Sequence, residues 1–202
     1  MHAYDTSVLR FVYDHLLEHI TSVDDPALRR ALTDGAAGVR RSAVRRLLAT
    51  EDLDGVAEVL EQLLSKDRMP GVRKEALAIL AQRFPDRLPA LLPRALLDPA
   101  ARVRELARFI VRDRQAPIVP RDFYVEYLAS PAPRQLIAAI DGLGETGTSA
   151  DLSLLDAFAQ APTPRVRRAR LRAGAKLDAT RAIWPPMPRS SPRRWPISCD
   201  SA

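Results

Sequence analysis

One pattern recurs along the chain at a spacing that sets the size of its building block. Asp34, Asp67 and Asp98 each stand five residues before a valine, at Val39, Val72 and Val103. Arginine follows each valine directly (Arg40, Arg73, Arg104), and alanine follows four residues after it (Ala43, Ala76, Ala107). The valines are 33 and 31 residues apart, and Gln135 and Val166 continue the series at 32 and 31. A period of this length holds one helical hairpin. Neither helix of such a pair buries its apolar face alone, so neighbouring hairpins must stack to make the core.

The clearest copy lies in residues 85–111. Leu88, Leu91, Leu92, Ala95 and Leu96 form one apolar stripe, and Val103, Leu106, Ala107 and Ile110 form another, both at helical spacing. Asp98 is expected to cap the second helix, with Pro99 in its first turn. The same reading predicts helices over residues 6–20, 26–32, 39–47, 53–64 and 72–80. Beyond the clear copy it predicts helices over residues 120–129, 135–143, 152–158 and 166–177. Helix formers dominate and aromatics are only 5% of residues, so an all-α fold is expected. In the last two periods Ser130 and Ala161 replace the aspartate, Leu136 replaces an arginine, and Arg170 falls on an alanine position.

The net charge of +6 is local. Residues 163–182 carry seven cations against Asp178, while residues 1–162 sum to −2. No apolar run reaches the roughly 18 residues of a membrane span. The start, MHAYDTSVLRF, lacks the basic-then-apolar order of a secretion signal. Cys199 is the single cysteine, which excludes a disulfide framework. Together these predict a cytoplasmic protein with no membrane contact.

The run Leu91-Leu92-Pro93-Arg94-Ala95-Leu96-Leu97-Asp98-Pro99, followed by Val103-Arg104 and Ala107, resembles the HEAT-repeat consensus. The short period is similar to the compact HEAT-like repeats of the phycobilisome-lyase type. The resemblance covers residues 23–178. It implies an armadillo-type, right-handed α-solenoid (an α-α superhelix) of about five hairpins, with Pro93 kinking a first helix. Residues 1–22 then read as an N-terminal capping helix and residues 23–182 as the solenoid. Residues 183–202 read as a disordered Pro/Arg/Ser tail, with a reading-frame artefact as the competing account. The resemblance also implies a structural ladder pairing Asp34, Asp67 and Asp98 with Arg40, Arg73 and Arg104. Second helices line the concave side in this family, which would place Arg41, Arg45, Lys74, Arg108, Arg112, Arg168 and Arg172 on a basic inner face. Glu51, Asp52, Asp54, Glu58 and Glu61 cluster around a first helix, on the outer face.

Two motifs suggest chemistry and fail on context. His15-Leu16-Leu17-Glu18-His19 matches the H-x-x-E-H zinc motif, but the third ligand that would close such a site has no recognisable motif downstream. Gly142-Leu143-Gly144-Glu145-Thr146-Gly147 matches G-x-G-x-x-G, but it ends a helix instead of joining a strand to one. A left-handed glycine stop is expected there. No G-x-S-x-G is present, and Cys199 has no structured base partner. The sequence therefore predicts no catalytic residues, no cofactor and no metal. The expected function is a non-catalytic scaffold or adaptor that binds a protein partner through an acidic segment. The alternatives are a binder of nucleic-acid backbone, or a relative of the HEAT-like DNA glycosylases or bilin lyases.

Overall fold

In a computed structural model, residues 22–50 and 55–183 are described, together with His15, Leu17, His19 and Ile20. Every regular element among them is helical. The ten α-helices are α1 (Pro26–Leu32), α2 (Ala37–Ala49), α3 (Val56–Lys66), α4 (Pro70–Arg83), α5 (Leu88–Leu96), α6 (Ala101–Asp113), α7 (Pro120–Glu126), α8 (Pro133–Thr146), α9 (Leu152–Asp156) and α10 (Pro164–Ile183). Consecutive helices pack in pairs: α1 on α2, α3 on α4, α5 on α6, α7 on α8 and α9 on α10. The second members also touch in sequence, α2 on α4, α4 on α6 and α8 on α10, with a sparser contact of α6 on α8. Apart from His15, Leu17, His19 and Ile20, the predicted helix over residues 6–20 falls outside the described residues, as do Glu51, Asp52, Asp54 and the tail beyond residue 183.

The periodic positions form the interior. Val39, Ala43 and Leu47 of α2, Val72, Ala76 and Leu80 of α4, and Val103, Ala107 and Ile110 of α6 are all buried in one continuous core. Each valine or leucine taken from water contributes about 1.5–3 kcal/mol, while the alanines keep the helix axes close. Asp25 caps α1 by accepting from the Ala27 and Leu28 amides, and Pro26 begins the helix. Asp98 acts differently from expectation. Its carboxylate accepts from the Ala100 amide at 2.8 Å, so it closes the turn before α6, and Ala100 is the cap. The acceptor is used up one step early, which leaves Pro99 ahead of the helix.

In the second half two expectations change, and the stripe read for the last helix holds. The helix expected over residues 152–158 stops at Asp156, with Phe158 in the turn that follows. The stripe of α10 is Val166, Ala169, Ala173 and Leu177, all buried. That face is rotated by about one residue relative to α2 and α4, and Leu171 is left 62% exposed. Gly147 is no left-handed stop: its φ is −82° and its ψ −176°, which is extended backbone. The glycines that matter lie inside α8. A β-carbon on Gly142 would sit 2.4 Å from the Tyr124 ring, and one on Gly144 would sit 2.6 Å from the Ala173 backbone. They are there because a ring and a helix approach too closely for any side chain.

Candidate functional site

The aspartate and arginine columns meet across hairpins. Arg40 directs Nε and Nη2 onto the two carboxylate oxygens of Asp67, at 2.7 and 2.9 Å, and Nη1 onto the Asp34 carbonyl at 2.8 Å. Arg73 repeats this with Asp98, at 2.7 and 2.8 Å, and with the Asp67 carbonyl at 2.7 Å. Each arginine thus ties its own hairpin turn to the carboxylate of the next hairpin. The Asp34 carboxylate accepts from the Ala36 amide and forms no ion pair with an arginine among the described residues. Arg104 finds no aspartate ahead of it, because Ser130 occupies that position. Ser130 still accepts from the Ala132 amide, so it keeps the turn but cannot hold a guanidinium. Glu145, from the far end of α8, takes the role, at 3.2 and 2.5 Å from Arg104, while Arg104 Nη1 holds the Asp98 carbonyl at 2.7 Å.

These pairs are largely withdrawn from water. Arg104 is 2% exposed and Glu145 9%. Burial pushes the Glu145 carboxyl up, but the hydrogen bonds and charges of Arg104 and Arg108 outweigh it and hold the group below the usual carboxylate range. Asp67 follows the same balance, with burial opposed by Arg40, the Met69 amide and Arg73. Asp151 is held low chiefly by its hydrogen bond from Arg121. All three folded values lie below the unfolded ones, so the unfolded chain binds more protons in acid. The stability they contribute is fully present above about pH 4 and is lost as pH falls through the depressed folded values. Urea midpoints are expected to hold from neutrality to that point and then fall. Asp67→Asn and Glu145→Gln should each start lower and flatten the acid limb; an unchanged limb would contradict the assignment.

The seven cations expected on the inner face lie on the second helices, but they are not equally available. Arg41 and Arg45 share the carboxylate of Glu75, at 3.2 and 3.1 Å. Arg108 donates to Glu145 at 2.6 Å and to the Tyr124 hydroxyl at 3.4 Å. Arg172 grips Asp141 through both Nε and Nη2. Lys74, Arg112 and Arg168 are exposed and have no carboxylate partner among the described residues; Arg112 lies 6.0 Å over the Phe109 ring. Arg41 and Lys74 also line a cleft of about 380 Å³ with Arg102. On α3, Glu58 and Glu61 are both engaged by Arg87. Among the described residues no group of three or more His, Cys, Asp or Glu side chains is placed to hold a metal. His15 and His19 are described, but Glu18 of the same motif is not.

Sequence reasoning missed Glu75, Asp141, Glu145 and Tyr124. Glu75 and Asp141 stand at nearly the same wheel position on their own second helices as the arginines they meet do on the neighbouring ones, so a wheel that included carboxylates would have found them. Glu145 carries no such signal, since its partners, 41 and 37 residues earlier, stand at different positions of the repeat.

No family model matches the chain, and no curated protein matches it. Among solved structures, the crystal structure of an engineered protein from the Northeast Structural Genomics Consortium is 18% identical to it. That match covers 88% of this chain and 93% of the other at a TM-score of 0.36, too loose a likeness to carry an argument. No helix among the described residues is long and apolar enough to cross a membrane.

Proposed function

We propose that the chain is a non-catalytic, cytoplasmic scaffold: a right-handed solenoid of about five HEAT-like hairpins that binds an acidic segment of a protein partner along its second helices. The reading is supported by the cross-hairpin arginine links and by the order in which the second helices touch. The observation that carries the binding part is the uneven neutralisation of this face. Arg41 and Arg45 share one carboxylate, and Lys74, Arg112 and Arg168 have none, so a partner's carboxylates add charge complementarity without displacing an internal pair.

Binding to nucleic-acid backbone is the second reading. It is favoured by Arg102, Arg134 and Arg165, which are exposed near second-helix N-termini without an ion pair among the described residues. Phe109 is the one aromatic in the second helices, so the chain offers little for base stacking. Affinity purification at low salt with nuclease separates the two. The expected result is a nuclease-resistant protein held by the wild type and lost from a Lys74→Glu/Arg168→Glu variant. Equal recovery with that variant sinks the surface assignment, and recovery that vanishes with nuclease favours the second reading.

A further inference from the structure

At the contact between α6 and α8 the balance of charge differs from the rest of the stack. Arg40 and Arg73 each have a carboxylate to themselves. Here Arg104, Arg108 and Lys176 all converge on Glu145, at 2.5, 2.6 and 3.5 Å. Two of the three guanidinium or ammonium groups are mostly buried, Arg104 at 2% and Arg108 at 18% exposure. Buried charge without an equal counter-charge is costly. Ser130 removes the carboxylate that would have restored the balance. Arg108 itself is an addition, since the same position in the other second helices holds Val44, Leu77, Ile140 or Leu171.

The geometry of Arg108 sharpens this. Arg40, Arg73, Arg104 and Arg172 all grip a carboxylate through the Nε/Nη2 edge of the guanidinium. Arg108 spends Nη1 on Glu145 and Tyr124, and its Nε/Nη2 edge makes no hydrogen bond among the described residues. That edge is the one whose two parallel donors match a carboxylate. Arg108 lines an open cavity of about 620 Å³. Arg112, one turn further along α6, lines the same cavity. Arg121 lines it too, but is already shared by Asp151 and Asp122. Val111, Ile118 and Val119 supply apolar wall, which lowers the local dielectric and strengthens an ion pair formed inside.

We infer that this cavity receives an aspartate or glutamate side chain of the partner, held by the Nε/Nη2 edge of Arg108 and by Arg112. The inference rests on the acidic-segment reading above and names the anchor point within that face. Glu145 lines the same cavity and keeps its bonds to Arg104 and Arg108, so the incoming carboxylate gives these two mostly buried guanidiniums a second counter-charge.

The test uses a fluorescein-labelled oligo-glutamate peptide, with oligo-glutamine and a short DNA duplex for comparison, read by anisotropy at low ionic strength. Arg112→Glu is expected to weaken oligo-glutamate binding about tenfold or more, the scale of one charge-assisted contact. Arg108→Lys keeps the charge that Glu145 needs but loses the two-donor edge, and should weaken binding by roughly three- to tenfold. Arg112 makes no ion pair among the described residues, so its replacement leaves the fold intact and the result interpretable even where Arg108→Lys destabilises. Lys74→Glu lies outside the cavity and should have a smaller effect. Binding that responds to Lys74→Glu but not to either cavity variant overturns the anchor and leaves the acidic-segment reading standing. Absence of oligo-glutamate binding, or a preference for the duplex, overturns both.

Discussion

Glu145→Ala is expected to destabilise the fold by about 3–5 kcal/mol, the range for removing one partner of a buried ion pair. Arg104 is 2% exposed and pairs with no other carboxylate among the described residues, and Arg108 would be left beside it. Two guanidiniums would then lie in a poorly solvated place with only a carbonyl and a phenol hydroxyl for company. Asp141→Ala is the fitting comparison on the same helix. Its partner Arg172 is 54% exposed, so that loss should stay below about 1 kcal/mol. Urea denaturation of the two variants separates the cases, and equal losses would show that burial of the Glu145 cluster is not what makes it costly to break. Replacing the central pair with apolar residues, as Arg104→Met/Glu145→Leu, should recover part of the loss by removing the stranded charge.

Gly144→Ala carries the second large effect, and its sign is decided by space. Alanine is the better helix former by about 1 kcal/mol, so propensity alone predicts a gain. The added methyl would lie 2.6 Å from Ala173 Cα and 2.7 Å from its Cβ. Those atoms belong to the backbone and first side-chain carbon of α10, so relief requires moving a whole helix. A net loss of about 1–3 kcal/mol is expected. Gly174→Ala in the facing helix is the control: its nearest neighbour is a leucine methyl at 4.0 Å, so the propensity gain should survive. Thermal melts of both variants check this. A Gly144→Ala protein as stable as wild type would mean that α8 and α10 do not meet backbone to backbone.

Much of the fold is legible in the sequence, and the limits follow from particular residues. Val39, Val72 and Val103 announce their helices because each is flanked by an alanine and leucines at helical spacing, a strictly local signal. The aspartate and arginine columns are equally visible in the spacing. Their direction of pairing is not, because Arg40 stands closer in sequence to Asp34 than to Asp67. Only the stacking decides that Asp34 offers its carbonyl and Asp67 its carboxylate. Glu145 was illegible for a stronger reason: it substitutes in space for an aspartate missing 15 residues earlier in the chain. The rotated stripe of α10, by contrast, is legible in its spacing, and the packing gives the reason for it. Its neighbour on one side is α8, pressed against Ala173, and among the described residues no helix follows it to hold Leu171 in the interior. The availability of the second-helix cations was likewise invisible to a count of arginines, which omitted Glu75 and Asp141.

The arginine that grips one hairpin's carbonyl and the next hairpin's carboxylate behaves as a plug and socket of fixed gender. The two hairpins that carry both residues, α3–α4 and α5–α6, each present one socket backwards and one plug forwards. Whole hairpins can therefore be added or excised without leaving a turn carbonyl or a guanidinium unmatched, whereas a gain or loss of a few residues within one breaks both connections at once. Ser130 is the place where the connector changes pattern, and Glu145 is the adapter fitted there. The chain is modular in length up to that joint, and beyond it Leu136 and Ala161 offer neither half of the connector.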